Sequence, residues 1–228
     1  MIDLFGKQPK QQLLPNIRPP QIFSLDNFVV GGNAELLAAL QQFSHAKEQA
    51  ALYLWGSKGC GCSHLLAAVA ALSKTPLLHG HEIAGDFDPA PGSVVVIDEV
   101  ETLSPAAQIA LFRCFNDMRV KQLRLLLSGS SAPAHLTSRE DLRTRIGQAL
   151  IYEVKPLTDP EKASALLYHA AQRGMRVDDH IIEYLLRHGR RDLPSLMAVL
   201  DALDQVSLEQ QRPVTLPLLR DILQLNLE

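Results

Sequence analysis

A glycine-rich loop, GSKGCGCSH (56–64), stands between a short apolar run, Leu52–Trp55, and an Ala/Leu-rich stretch, Ser63–Leu72. A loop of this kind joins a buried strand to a helix and aims backbone N–H groups at one point, so it restricts the fold sharply. Gly56, Gly61 and Ser63 fill their places in the phosphate-loop pattern G-x-x-x-x-G-K-[ST], but Cys62 stands where the lysine belongs. Gly56, Gly59 and Gly61 permit the turn. The helix start adds partial positive charge, and Ser63 offers a hydroxyl to Mg²⁺ or a phosphate. The absent lysine contact is charge-assisted, worth ~1.5–3 kcal/mol, or roughly 10- to 100-fold in affinity. Hydrolysis suffers more than binding, because lysine also neutralises charge near the γ-phosphate. Lys58 lies four positions early and is no replacement. The competing reading is a tight glycine turn with no ligand. Cys60, Cys62 and His64 also spell C-x-C-x-H, but with only His79 and His81 nearby no second ligand pair completes a metal site.

Strands and helices alternate around the loop. Asn33 is placed to cap a helix whose Leu36, Leu37, Leu40 and Phe43 share a face. Leu77–His79, Leu123–Leu127 and Leu150–Val154 read as strands, and Val94–Ile97 as a strand buried on both faces. Ser104-Pro105 starts a helix as cap and first residue, whereas the segment around 80–93 promises little helix. The alternation predicts a mostly parallel sheet with right-handed crossovers. After Val154 the strands stop. Thr158-Asp159-Pro160-Glu161 is a capping box, followed by a helix ending near Gly174 and helices near 178–188, 193–208 and 215–225. An α/β unit therefore precedes a bundle of about four helices, with the boundary near Pro156. Residues 1–22, broken by Pro9, Pro15, Pro19 and Pro20, read as a flexible arm.

VVVIDEV places Asp98 and Glu99 at the C-terminal end of the buried strand, the edge at which open parallel sheets bind ligands. An aspartate there can hold Mg²⁺ through water, and the glutamate can orient an attacking water. The charge balance adds a limit. A net charge of −3 argues against a protein that coats nucleic acid by bulk charge. No apolar run is long enough to span a bilayer, and three cysteines make no disulfide framework. A cytoplasmic protein is expected.

LDNFVVGGNAELLAAL (25–40) closely resembles the opening of the nucleotide-binding domain of the replication initiator DnaA. The stretch 22–228 is similar to the shorter DnaA-homologous regulatory inactivators (Hda) of the AAA+ group, through LYLWGSKGCGCSHLLAA, LRTRIGQALIYEVKPLTDPEK and RPVTLPLLRDIL. The resemblance implies an α/β fold with a five-stranded parallel sheet sandwiched by helices and a small helical lid. It implies an arm over 1–21, a base over 22–155 and a lid over 156–228. It implies a negative regulator of replication initiation, not itself an ATPase, that stimulates hydrolysis of ATP held by DnaA. Arg145 would be the arginine finger, with Arg143 the alternate. The implied partners are DnaA, the DNA polymerase III β sliding clamp, DNA through the clamp, and further copies of the chain, with no membrane. Gln12, Leu13 and Ile17 would dock on the clamp, with Leu4 and Phe5 in reserve. Val29, Val30, Gly56, Gly59, Gly61, Cys62, Ser63, His64, Asp98 and Glu99 would frame a pocket for ADP, held weakly or optionally, with Mg²⁺ as a companion. Pro194 stands where the lid arginine belongs, with Arg190 or Arg191 as substitutes, and Ser128 is a candidate polar sensor. A self-standing ATPase of clamp-loader or DNA-repair type, favoured by Asp98 and Glu99, and a nucleotide-free scaffold are the alternatives.

Overall fold

Apolar residues run two abreast in the strands, and this decides the architecture. The computed structural model describes residues 23–46, 48, 50–190 and 192–225. Chain order runs α1 (Ala34–His45), β1 (Ala50–Trp55), α2 (Cys62–Ser73), β2 (Leu77–His79), β3 (Val94–Asp98), α3 (Pro105–Lys121), β4 (Arg124–Gly129), α4 (Glu140–Gly147) and β5 (Leu150–Glu153). The five strands form one sheet in the order β2-β3-β4-β1-β5, and every pairing is parallel. All five residues of β3 are buried, as its β-branched run predicts. Alternate residues serve opposite faces. Leu52, Leu54, Val94, Val96 and Leu126 join the core under α1 and α2, while Tyr53, Val95, Ile97, Leu125 and Leu127 join the core under α3 and α4. Between β2 and β3 the only regular element is the short 3₁₀ turn Gly80–Glu82.

Beyond β5 the chain is helical: α5 (Asp159–Gln172), α6 (Asp179–His188), α7 (Leu193–Gln210) and α8 (Leu216–Leu225). These helices close a third core around Leu166, Ile182, Leu185, Leu200 and Leu219. Thr158 and Glu161 make both halves of the predicted capping box. Ser104 caps α3 as expected, accepting from the Ala107 amide at 3.1 Å.

Asn33 does something other than cap. It sits at the N-cap of α1 but makes no side-chain cap bond. Its amide instead donates to the Lys155 carbonyl at 2.9 Å and accepts from the Lys155 amide at 2.8 Å. The side chain behaves as an added strand residue beside β5, and this outcompetes the local bond because both orphan groups of Lys155 are satisfied at once. Asn33 is 3% exposed, so either group left unpaired would be costly.

Candidate functional site

The glycine loop faces a cleft of about 1400 Å³ between sheet and lid. Gly61 is the N-cap of α2 with φ 112°, a left-handed backbone. A Cβ there would lie 2.8 Å from the Phe28 ring, so glycine is required on two counts. A Cβ on Gly56 would press on the Val154 carbonyl and Cys60 Sγ, each at 2.7 Å. No side-chain oxygen caps α2; the Cys62 amide turns to the Cys60 sulfur, and the Ser63 and His64 N–H groups are left for an external acceptor. A cradle of bare N–H groups at a helix start, opening on a cleft of nucleotide size, fits a phosphate-bearing ligand.

Val29, Gly59, Gly61 and His64 line this cleft, together with Lys58 and Cys60. Val30, Gly56, Cys62, Ser63, Asp98 and Glu99 do not. Asp98 is buried at the end of β3, where its Oδ1 accepts from the Ser128 hydroxyl and from the Glu99 amide at 3.0 Å. Ser128 is thus a partner of Asp98 beneath the cleft. Glu99 is exposed, with a left-handed backbone at φ 56°. His64 is committed elsewhere than to a phosphate. Its Nε2 lies 3.0 Å from the Ser24 carbonyl, and its ring meets Phe23 and Phe28 edge-on. Burial pulls its pKa below the ordinary value, against the Ser24 bond, which raises it. The neutral ring donates to Ser24 and holds segment 23–28 against the loop. Cys60 and Cys62 have their sulfurs 3.5 Å apart while His64 turns away, so the C-x-C-x-H triplet does not converge.

The lid wall contains groups that the motif reading missed. One face of α5 sends Lys162, Tyr168, His169, Gln172 and Arg173 into the cleft. The signal was the three- and four-residue spacing among Tyr168, His169, Gln172 and Arg173, which marks one polar helix face. Asp201 of α7 neutralises this wall, 2.6 Å from His169 Nε2 and 3.1 Å from Arg173 Nε. Pro194 also lines the cleft, in the first turn of α7. Asp192 caps that helix by accepting from the Ser195 amide at 2.9 Å. Burial raises the Asp192 pKa, but the bonds from Ser195 outweigh it and the net shift is downward. Arg190 is mostly exposed and lies 3.6 Å from Asp192. Arg191 and the arm residues Leu4, Phe5, Gln12, Leu13 and Ile17 lie outside the described residues.

Arg145 stands on the opposite face of the sheet from the loop, in the last turn of α4. Its guanidinium donates to Asn116 Oδ1 at 2.7 Å and to Gln148 Oε1 at 3.4 Å, and lies 5.9 Å from the Phe112 ring centre. Both hydrogen bonds are at the surface. Among the described residues no carboxylate forms an ion pair with it, whereas Arg139 is held by Asp141 at 2.8 Å.

The architecture matches known structures. Domain III of the Thermotoga maritima replication initiation protein DnaA aligns with a TM-score of 0.68 at 17% identity, over 89% of this chain and 95% of that one. Aquifex aeolicus DnaA bound to AMPPCP gives 0.65 at 18% identity, over 80% and 65% respectively. A Thermotoga maritima RuvB variant gives 0.67 at 18% identity, over 90% and 72%. At these identities the likeness is one of fold: a parallel α/β base followed by a helical lid. Residues 159–223 match the family described as "Hda, lid domain". The helical C-terminal part of the chain is thus similar to an Hda lid, behind a base with a DnaA-like fold. Among the described residues no helix is long and apolar enough to cross a membrane.

Proposed function

We propose that this chain is a negative regulator of replication initiation that accelerates hydrolysis of ATP on DnaA and acts from the cytoplasm. The observation that carries the reading is the setting of Arg145, whose charge is oriented by two neutral amides and cancelled by no carboxylate among the described residues. A guanidinium so held is pre-organised and still available to an anion brought by another protein. Delivered in trans to a triphosphate, such a group stabilises the transferring phosphoryl and raises turnover by ~10³–10⁵. The Hda-type lid and the DnaA-like fold support DnaA as the partner.

The base over 22–155 and the lid over 156–228 would share the chain's own cleft, which takes ADP weakly. The first-turn N–H groups of α2 with Gly59 and Gly61 would hold the phosphates, with Ser63 just behind them, and Val29 would flank the base, backed by Val30. Mg²⁺ would sit near Ser63, with Asp98 acting through water, and supply charge neutralisation for the phosphates. Gln12, Leu13 and Ile17 would anchor the chain to the DNA polymerase III β sliding clamp, so that contact with DNA is indirect.

The test is the rate of ATP turnover by DnaA in the presence of clamp loaded on DNA. Wild type accelerates it and Arg145→Ala does not. Stimulation by Arg145→Ala equal to wild type would remove Arg145 from the mechanism. A second reading, an ATPase in its own right, draws on the Asp98–Ser128 pair and Glu99 at the strand end. Turnover by the isolated protein that disappears in Glu99→Gln would favour it.

A further inference from the structure

The two thiols of the glycine loop are used by nothing above. Cys60 and Cys62 flank Gly61 at the mouth of α2, with Sγ atoms 3.5 Å apart. The pair lies at the cleft: Cys60 and Gly61 form part of its wall, and Cys62 is half-buried behind them. Gly61, between them, has a backbone that a side chain rarely tolerates, which gives the C-G-C segment room to bring its two Cβ atoms together. The third cysteine, Cys114, is buried in α3 within the opposite core.

We propose that Cys60 and Cys62 are a modification site: a peroxide converts them to an intramolecular disulfide, and this bond switches off the phosphate cradle. The chemistry balances. The Cys60 thiolate attacks one peroxide oxygen, the O–O bond breaks, and the departing hydroxide takes a proton to become water. Cys60 is left as a sulfenic acid. Cys62 then attacks that sulfur, the S–O bond breaks, and the hydroxyl leaves with the Cys62 proton as a second water. Two electrons pass from the thiol pair to the peroxide, and a thiol reductant reverses the change. The thiols are poised for this order of events. A hydrogen bond from Cys62 lowers the Cys60 pKa to about 7 against the opposing effect of burial, and the same bond with burial pushes Cys62 upward. Cys60 is thus the attacking sulfur and Cys62 the resolving one. Cys114, raised to about 11 by burial, stays inert.

Closing the bond draws the sulfurs from 3.5 Å to about 2.05 Å. That contraction spans Gly61, whose backbone directs the first N–H groups of α2. It also moves Cys60, whose amide closes the loop turn on the Ser57 carbonyl at 3.0 Å. The cradle loses its shape and with it the anion.

The effect on nucleotide rests on the ADP reading above; the covalent step does not. The full chain is treated with hydrogen peroxide and its intact mass, free thiols and ADP-dependent melting shift are measured. Wild type is expected to lose two hydrogen atoms and two of its three thiols, to lose any ADP-dependent shift, and to regain both with dithiothreitol. Cys60→Ala and Cys62→Ser should each fail to form the bond, and the second keeps the buried packing of Cys60 if the first folds poorly. Oxygen added at either sulfur without bond formation, thiols that stay titratable, or a cross-linked dimer would each overturn the proposal. An unchanged ADP shift in the oxidised protein would overturn the switch. If the reduced protein shows no ADP shift, the ADP reading has failed, and mass and thiol count alone decide the disulfide.

Discussion

The cleft and the outer end of α4 both present cations, and they treat them differently. Inside the cleft the lid's charges are paired with carboxylates: Arg173 with Asp201, which His169 also contacts, Lys162 with Asp159 at 4.0 Å, and Arg190 with Asp192 at its rim. At the end of α4, Arg145 is steered only by Asn116 and Gln148. A carboxylate orients a guanidinium and also cancels it, whereas an amide orients it and leaves its charge whole. The guanidinium of Arg145 therefore keeps its charge whole, as the proposed delivery to a partner's triphosphate requires, while the lid faces the cleft with a partly neutralised wall.

The largest expected effect lies on the α4 side. Arg145→Ala should abolish stimulation of DnaA turnover, a fall of ~10³-fold or more. Arg145→Lys should restore little of it, because an ammonium cannot reproduce the planar fork. Arg143→Ala, on the same helix, should leave stimulation close to wild type; equal losses at both positions would reduce the argument to general basicity. Next comes the loop. Cys62→Lys supplies the absent loop cation and should tighten ADP by roughly 10- to 100-fold, read by calorimetry, with no effect on DnaA stimulation.

Smaller still is Asp201→Asn. It frees Arg173 and His169, and ADP should bind several-fold tighter, about 1 kcal/mol for a half-exposed pair. Unchanged affinity would show that Arg173 does not reach the ligand, and would erase the contrast between the two regions. The smallest effect is on pH dependence. His64 has a folded pKa below its unfolded value of 6.5. The unfolded chain therefore takes up protons first on acidification. Its stabilising effect is complete above that pH and fades as pH falls from there through the folded value. Urea melts between pH 8 and pH 5 should show this decline, and His64→Asn should flatten it.

The sheet and lid were legible because their signals are local. The run Val94–Ile97 needs no partner to read as a strand, and Thr158 and Glu161 are three residues apart. The glycine cradle was legible for the same reason. Asn33 misled because its real partner, Lys155, is 122 positions away, and a local cap was the only bond its neighbourhood offered. His64 lines the cleft as its sequence position suggests, yet its ring nitrogen is claimed by Ser24, 40 positions before it. The lid wall went unseen because pairing of His169 and Arg173 with Asp201 joins two helices through a fold that periodicity alone does not align. In each case the missing information was a long-range hydrogen bond or ion pair.

The pair of hydrogen bonds between Asn33 and Lys155 has a mechanical meaning. Lys155 is the last residue before Pro156 and Leu157 lead into the lid, and a Cβ on Gly31 would lie 2.6 Å from the Leu157 side chain. The lid's root is thus clasped to the first turn of α1. A swing of the lid must drag residues 29–33 with it or tear the clasp open, exposing the Lys155 amide to solvent. The rate at which that single proton exchanges with deuterium is a built-in gauge of how often the lid lets go.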